Sequence, residues 1–471
     1  GIASPVDGFL APSMPYARSN LGPWPYDPDK AADLLAEAGY DGEAIQIAIG
    51  AGRYPSDDLV GLAVVNMLEE AGFNIDLQAV DYSAMQAELG NRIDASYDGW
   101  IQGWGASLLD SGGQLNAFFN GTDAALPLFY ENADYQAASE RAALATNDEE
   151  RSAAVQEMED IIWNDAAGIF LYFPVENMGL ASNMNGFEAR FDEFFFFSGT
   201  TLDDYDASAT AAPAAPAGQD LVVAIAQDLP VLDGRLPGGS AASFSGLRHI
   251  TQPLVFFSAD GQTLEGILAE SWEQIEPKRW RFTLREGVTF HNGNTFNADS
   301  VVHSIGKAID PDFSPWFRYA SGGVIGPAEK VDEYTVDITT EIVAPLMPNI
   351  LTTIDMVDAA VSDELQNTNP VGTGPYSFVE FLPRSSLTVT QYDAYWGGTP
   401  NYASITFRII PEQSTRVAAL LNGEVSAINA ISVEDIQAIQ EASDTKIASS
   451  ATTRHIMIAL RGDRDVISDV R

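Results

Sequence analysis

A run of alternating aromatic and polar residues constrains the fold of this chain more than any other stretch. Within residues 269–296, which read AESWEQIEPKRWRFTLREGVTFHNGNTF, Trp280, Phe282 and Leu284 alternate with polar residues after a Pro-Lys turn. A period of two places the apolar side chains on one face of a strand and the polar side chains on the other. The Asn-Gly pair at 292–293 is typical of a tight turn. The stretch therefore predicts a β-hairpin with one aromatic face.

Strand-like and helical segments alternate along the rest of the chain. Residues 45–80 have the pattern strand, helix, strand, and residues 135–163 have helical spacing that is interrupted at 146–148. Such alternation predicts a mixed α/β fold. Further strands are predicted at 97–104, 169–174, 194–197, 221–225, 329–338 and 377–381, and further helices at 28–38, 82–89, 243–255 and 297–310.

The length and composition are those of a multidomain globular protein. A chain of 471 residues exceeds what one hydrophobic core usually supports, so we expect two or three domains. No run approaches the roughly 18–20 apolar residues that a membrane helix needs. No signal peptide precedes Gly1, so the N-terminus predicts nothing about export.

Charge and residue types argue against several classes of function. The formal net charge of −43 would repel the phosphates of a nucleic acid, so we expect no nucleic-acid partner. The lack of cysteine excludes disulfides, thiolate nucleophiles and cysteine-based zinc sites. The four histidines are scattered, and the sequence has no Gly-x-Ser-x-Gly nucleophile elbow. We therefore expect no catalytic residue, no metal and no cofactor. Paired carboxylates leave a carboxylate-dependent hydrolase as the alternative from another class.

Five motifs resemble one protein family. They are AESW…FTLREGVTFHNGNTFNADSVVHS, APSMPY…YDPDKAADLLAEAGY, NPVGTGPYSFVEF at 369–381, YWG at 395–397 and IPEQSTRVAALLNGEV at 410–425. They are similar to the extracellular solute-binding proteins that supply peptide, nickel and oligosaccharide ABC transporters. The resemblance implies a two-lobed α/β periplasmic-binding-protein fold with mixed sheets and a hinge. It also implies a monomer, on the periplasmic or outer side of the cell envelope, that captures a small-molecule or peptide ligand between its lobes and delivers it to an ABC permease.

The order of the matching segments differs from that of the family. Residues 206–220 are rich in Ala and Pro, which is typical of a semi-rigid linker, and LVVAI at 221–225 resembles the family's first strand. The resemblance therefore implies a circular permutation. We expect lobe two to comprise 1–169, completed by 454–471, and lobe one to comprise 221–453 with a return segment at 170–205. Hinge crossings are expected near 167–175 and 452–456.

The resemblance also implies a set of ligand-binding residues. In similar proteins the loop after Trp104 lines the cleft, so we predict contacts from Trp100, Trp104, Ser107 and Asp110. Flat aromatic rings suit such clefts. From lobe one we predict contacts from Arg248 and Gln252, on the predicted helix 243–255, and from Trp316 and Arg318 in an aromatic loop. An arginine there could hold a ligand carboxylate through two hydrogen bonds.

The identity of the ligand stays open. Peptide binders typically carry an Asp at the position of Ser107, and some nickel-chelate binders carry a His that has no counterpart here. We favour an oligopeptide or a similar small solute. The alternatives with the same fold are a receptor for a nickel chelate, an opine or an oligosaccharide, and a chemosensory receptor.

Overall fold

The chain folds into two compact units. The computed structural model describes residues 3–6, 8–18, 21–22, 24–51, 57–81, 85, 88, 96–105, 108–120, 130–145, 147–202, 219–229, 231–236, 241–314 and 324–462. The first unit comprises Gly1–Val175 and Ala451–Arg471, and the second comprises Glu176–Ser450. The chain therefore leaves the first unit after Val175, within the predicted crossing 167–175. It returns at Ala451, one residue before the predicted crossing 452–456.

The first unit contains a mixed sheet with its helices. Its strands lie in the order Ile75–Asp81, Ile45–Ala51, Gly99–Trp104, His455–Leu460 and Ile169–Ala181, and the short strand Ala3–Pro5 also pairs with the last of these. The first three are parallel, and the strand His455–Leu460 is antiparallel to both of its neighbours. Isoleucines from three strands pack on one face of the sheet: Ile45, Ile47, Ile49, Ile101, Ile456 and Ile458.

Four of the five described helices of the first unit follow a residue whose side chain caps them. The described helices are Pro28–Ala38, Asp57–Glu70, Ser111–Phe119, Ala133–Leu144 and Asp148–Asn164. Asn147 accepts a hydrogen bond from the backbone N–H of Glu150, which satisfies a donor that the first turn of a helix leaves free. The predicted interruption at 146–148 is therefore confirmed, and a new helix begins there.

The second unit contains a large mixed sheet and an antiparallel sheet. The large sheet has the order Tyr376–Leu382, Ser386–Gln391, Ser404–Ile409, Asp220–Ile225 and Ala427–Ile428, and the last of these pairs with the end of Ile169–Ala181. The four-stranded antiparallel sheet has the order Ala269–Glu276, Arg279–Leu284, Thr335–Thr340 and Ile325–Lys330. Two-stranded pairs join Val255–Phe257 to Leu264–Gly266, Gln252–Pro253 to Asp355–Met356, and Met184–Asn185 to Thr201–Leu202.

One further strand, Thr445–Ala451, pairs with Ile169–Ala181. The helices of the second unit are mostly short. The described helices are Ala241–Ser245, Ala298–Ala308, Met347–Ile350, Asp363–Gln366, Gln413–Leu421 and Val433–Glu441, with 3-10 turns at Leu247–His249 and Leu351–Thr353.

The hairpin predicted from residues 269–296 is confirmed. Trp280 lies opposite Gln274 on the neighbouring strand, and Phe282 lies opposite Trp272. Phe282 and Leu284 are completely or almost completely buried in a core that also contains Val288. Trp280 packs at the edge of the same core. The alternating pattern therefore places the apolar side chains of this strand against the core, as predicted.

Two predicted elements differ in the structure. The aromatic run Phe194 to Phe197 is extended but is not a strand, because side chains rather than a neighbouring strand satisfy its backbone. The N–H of Phe195 donates to Ser245 Oγ, and the N–H of Phe197 donates to His249 Nε2, both at 3.1 Å. The predicted strand 329–338 is two strands, because Asp332 accepts the N–H of Tyr334 and turns the chain.

The predicted helix 243–255 is also wrong in its extent. A helix ends at Ser245, and a 3-10 turn, Leu247–His249, follows. At Gly246 an added Cβ would approach Leu387 to 2.9 Å, so the backbone packs directly on the sheet there. Gln252 then pairs with Met356 in a short strand. Arg248 and Gln252 therefore do not share a helix. The predicted helix 82–89 and the linker 206–220 lie almost entirely outside the described residues.

Candidate functional site

Trp104 lies at the end of a central strand of the first unit. The strand Gly99–Trp104 pairs with His455–Leu460, and Trp104 lies directly opposite His455. The indole ring of Trp104 is half-buried and meets Phe118 edge to face, with 5.6 Å between the ring centroids. Trp100 lies on the same face of the strand because it is four residues earlier, but it is buried in the core. Of the two tryptophans, Trp104 is the more exposed.

Asp110 is the N-cap of the helix that follows Trp104. Its Oδ1 accepts a hydrogen bond from the backbone N–H of Gly113 at 3.1 Å. This bond satisfies one of the backbone N–H groups that the first turn of a helix leaves free. Asp110 remains partly exposed. Ser107 lies outside the described residues.

The sequence analysis missed Gln114, which connects the strand end to the returning chain. Its buried Nε2 lies 3.4 Å from the carbonyl oxygens of Trp104 and Thr453 and 3.2 Å from His455 Nδ1. Burial lowers the pKa of His455 to about 3, so its imidazole is neutral. The sequence feature that could have indicated Gln114 is its position on the apolar face of a helix, four residues before Phe118.

The segment 8–18, which contains the APSMPY motif, is held by a buried carboxylate. Glu159 accepts the backbone N–H of Leu10 and of Arg18, each at 2.9 Å. Burial raises the pKa of Glu159 to about 7. The segment also contacts the surroundings of Trp104, because Ser13 Oγ donates to the carbonyl of Thr452 at 3.1 Å and Ser111 Oγ donates to that of Pro15. Three segments distant in sequence therefore meet near Trp104.

Arg248, in the second unit, already has a charged partner. Its guanidinium forms a buried ion pair with Asp355 and donates to the carbonyl of Thr352 at 2.8 Å. The rings of Phe194 and Phe256 flank it, with centroids 5.6 and 5.3 Å from its Cζ. Burial raises the pKa of Asp355, whereas Arg248 lowers it. These contacts hold the turn that carries Arg248 against the strand pair at residue 355.

Gln252 links two of the sequence motifs. Its Oε1 accepts from Thr373 Oγ1 at 3.1 Å and from Trp396 Nε1 at 3.0 Å, and its Nε2 donates to the hydroxyl of Tyr395 at 3.0 Å. Thr373 belongs to the NPVGTGPY loop, and the two aromatic residues form the YWG turn. The loop approaches residues 249–251 very closely, because a Cβ at Gly372 would lie 2.1 Å from the carbonyl oxygen of Ile250.

Two further predicted contact residues, Trp316 and Arg318, lie outside the described residues. Within the described part of the chain, no group of three or more His, Cys, Asp or Glu side chains is arranged to hold a metal ion. No helix among the described residues has the length and apolar character needed to cross a membrane.

The sequence matches a known family over most of its length. The profile of the bacterial extracellular solute-binding proteins, family 5 (middle), matches residues 1–125 and 263–471. Because the match covers more than half of the chain, this protein belongs to that family of solute-binding proteins. The fold class is the one expected, a mixed α/β fold of the two-lobed periplasmic solute-binding type.

Individual relatives match only part of the chain. The glutathione-binding protein of Pectobacterium atrosepticum is 29% identical over 251 residues, which are 52% of this chain and 48% of the relative. The dipeptide-binding protein of Escherichia coli is 30% identical over 185 residues, which are 33% of this chain and 34% of the relative. A nickel ABC transporter structure from Bacillus halodurans is 28% identical with a TM-score of 0.41, covering 48% of this chain and 46% of that chain. The chain thus spans about half, or less, of the length of these relatives.

Proposed function

We propose that this protein is the solute-binding receptor of an ABC transporter, which captures a small solute and delivers it unaltered to a membrane permease. Membership of the solute-binding family supports the general role. The observation that carries the proposal is Trp104 at a strand end: its half-buried indole meets Phe118 edge to face, and its backbone carbonyl accepts from Gln114. A ring fixed in this way offers a flat apolar surface without losing side-chain freedom on binding.

The ligand we propose is an oligopeptide or a similar small solute. Relatives of this chain bind glutathione and dipeptides by name. Asp110, six residues after Trp104, caps the next helix, and a carboxylate is the natural partner of a ligand ammonium group. A nickel chelate, an opine or an oligosaccharide, which the sequence left open, is the second candidate. We expect affinity on the order of micromolar, about −8 kcal/mol.

The proposed ligand-binding residues divide into two groups. Trp104 and Asp110 are partly exposed, and we propose that they contact the ligand directly, together with Ser107. Trp100, Arg248 and Gln252 are buried or already bonded to other side chains, so we propose that they act by holding their neighbours in place. Trp316 and Arg318 complete the proposed set.

Mass spectrometry of the intact complex tests this function. The protein is purified under mild conditions and sprayed from a volatile buffer, so that a bound solute is retained as a mass increment. Calorimetry with a dipeptide, glutathione and nickel-histidine then identifies the class of ligand. Recovery of the solute with its mass unchanged supports a receptor. A hydrolysed product would instead support the carboxylate-dependent hydrolase.

We further propose that the receptor acts as a periplasmic monomer and that its two halves are joined in permuted order. The strand Asp220–Ile225, which follows the Ala/Pro-rich segment, supports the permutation, because it lies inside the large sheet between Ser404–Ile409 and Ala427–Ile428. A variant in which residues 221–471 precede residues 1–205 tests whether the two halves are permuted. The rebuilt chain should keep the circular dichroism spectrum and ligand affinity, and loss of cooperative unfolding would contradict the permutation.

A further inference from the structure

Gln114 is bonded at both of its ends to residues of the proposed ligand site. Its backbone N–H donates to the carbonyl oxygen of Asp110 at 2.9 Å, and its side-chain Nε2 lies 3.4 Å from the carbonyl oxygen of Trp104. The carboxylate of Asp110 is held on the same helix, because it accepts the N–H of Gly113. A single residue therefore joins the two proposed ligand contacts, which are six residues apart in sequence.

One side of the helix Ser111–Phe119 lies against a pair of residues on neighbouring strands. Trp104 and His455 are directly opposite each other in that pair. Gln114 and Phe118 are four residues apart, so they lie on the same side of the helix. The Nε2 of Gln114 lies 3.2 Å from His455 Nδ1. The ring centroid of Phe118 lies 5.6 Å from that of Trp104 and 5.7 Å from that of His455. One polar and one aromatic side chain thus fix the helix against the strand end.

The polar contacts of Gln114 are buried. The residue is only 3% exposed, and its Nε2 also lies 3.4 Å from the carbonyl oxygen of Thr453, so the two hydrogens of one amide are shared among three acceptors. An apolar side chain at this position would offer these acceptors no hydrogen. The helix and the strand end would then keep their aromatic contact and lose their polar connection, which carries the direction of the contact.

The other side of the same helix is held independently. The Nδ2 of Asn116 donates to Ser139 Oγ at 2.9 Å, and its Oδ1 accepts from the hydroxyl of Tyr135 at 3.0 Å. Both partners belong to the helix Ala133–Leu144. These bonds remain when Gln114 is changed. Loss of Gln114 should therefore shift the helix against the strand end without unfolding it.

We propose that Gln114 is a positioning residue of the ligand site, which fixes the carboxylate of Asp110 relative to the indole ring of Trp104. This assignment rests on the proposed receptor function, and it adds that the site recognises two groups at a set separation. A cationic group of the ligand pairs with Asp110, and an apolar group lies on Trp104. Fixing both contacts before binding lowers the cost of ordering them.

Calorimetry on matched variants tests the proposal. The probe is whichever of leucyl-alanine, glutathione and nickel-histidine the wild type binds most tightly. Gln114→Leu should weaken binding of this probe about ten-fold. Asn116→Leu removes an amide from the same helix and is the control, which should change the affinity less than about two-fold. In the Trp104→Ala background, Gln114→Leu should have almost no further effect on affinity, because the ring that it positions is gone.

A second measurement needs no bound probe. The indole N–H signal of Trp104 in a nitrogen-correlated NMR spectrum is assigned by its loss in Trp104→Phe. Gln114→Leu should shift this signal in the free protein, whereas Asn116→Leu should leave it in place. If Gln114→Leu does not fold, Gln114→Glu replaces it. The introduced carboxylate cannot donate to the carbonyl oxygens, so binding should be weaker relative to the wild type at about pH 8 than at about pH 5.5.

The outcomes separate positioning from a role in folding alone. Unchanged probe affinity in folded Gln114→Leu would overturn the proposal, and so would equal losses in Gln114→Leu and Asn116→Leu. If the wild type binds a probe and Gln114→Leu binds it equally well, the receptor function stands and the positioning role fails. If the wild type binds none of the probes, the function proposed for these solutes fails. The indole signal then decides alone: a shift supports positioning of Trp104, and an unshifted signal overturns it.

Discussion

The buried carboxylate of Glu159 accepts a hydrogen bond from the backbone N–H of Leu10, 149 residues away in sequence, at 2.9 Å. The same side chain also holds Arg18 and leaves no room for a side chain at Gly8, where a Cβ would lie 2.4 Å from Oε1. One residue thus fixes both ends of the segment that carries the APSMPY motif. Its ionisation therefore affects the stability of this part of the first unit.

We expect a pH dependence of stability that comes from Glu159. Burial raises its pKa from 4.5 to about 7, so the folded protein keeps a proton that the unfolded chain loses. The resulting stabilisation is fully present below pH 4.5, declines as the pH rises to about 7 and is absent above it. The resulting change in the free energy of unfolding is at most about 3 kcal/mol. Urea unfolding at a series of pH values between 4.5 and 8 measures this change.

Matched variants separate Glu159 from the other carboxylates. Glu159→Gln should flatten the pH profile in this range, because the side chain no longer ionises. Glu157→Gln on the same helix should leave the profile unchanged, since Glu157 is exposed and paired with exposed Arg141. An unchanged slope in Glu159→Gln would show that another group is responsible.

Gly372 should be intolerant of any side chain. A Cβ there would lie 2.1 Å from the carbonyl oxygen of Ile250 and 2.9 Å from the Cα of Thr251, and both are backbone atoms that cannot rotate away. We expect Gly372→Ala to lower the free energy of unfolding by at least about 2 kcal/mol. Gly306→Ala is the control, because Gly306 is in a helix with no atom near its Cβ position. That change should stabilise by about 0.5–1 kcal/mol. Equal effects of the two substitutions in urea unfolding would refute the close approach.

Arg248→Met should affect stability more than ligand binding. The substitution leaves Asp355 buried without its ion-pair partner, which typically costs about 3–5 kcal/mol. Arg279→Met is the control, since Arg279 is partly exposed and buried Asp337 keeps its second partner Arg281, and it should cost less than about 1 kcal/mol. Urea unfolding and calorimetry are run on the same samples. Lost ligand affinity with normal stability would instead make Arg248 a direct ligand contact.

Trp104→Ala should weaken ligand binding at least about ten-fold while the protein stays folded, because the variant removes the flat apolar surface at the strand end. Trp280→Ala serves as the control. It is also a partly buried tryptophan, but it packs at the edge of a hydrophobic core in the second unit. Calorimetry with the ligand identified by mass spectrometry compares the two. Equal affinity in Trp104→Ala and the wild type would remove Trp104 from the proposed site.

Local patterns predicted much of the secondary structure correctly. The hairpin at residues 269–296 follows from a period of two, and the helices predicted at 28–38 and 297–310 are present as Pro28–Ala38 and Ala298–Ala308. The prediction failed for Phe194 to Phe197, where the aromatic run has the composition of a strand. Ser245 and His249, about 50 residues later, take the place of a neighbouring strand, and no local pattern encodes that.

The sequence alone therefore determined the family, the mixed α/β class and the elements whose signals lie within one turn or one strand. Only the tertiary structure decided which polar groups meet: Arg248 with Asp355, Gln252 with Trp396, and Gln114 with Thr453 and His455. The physical reason is separation along the chain. A buried polar group must find a partner, but any of many distant residues could supply it, and only the packing of the folded chain selects one.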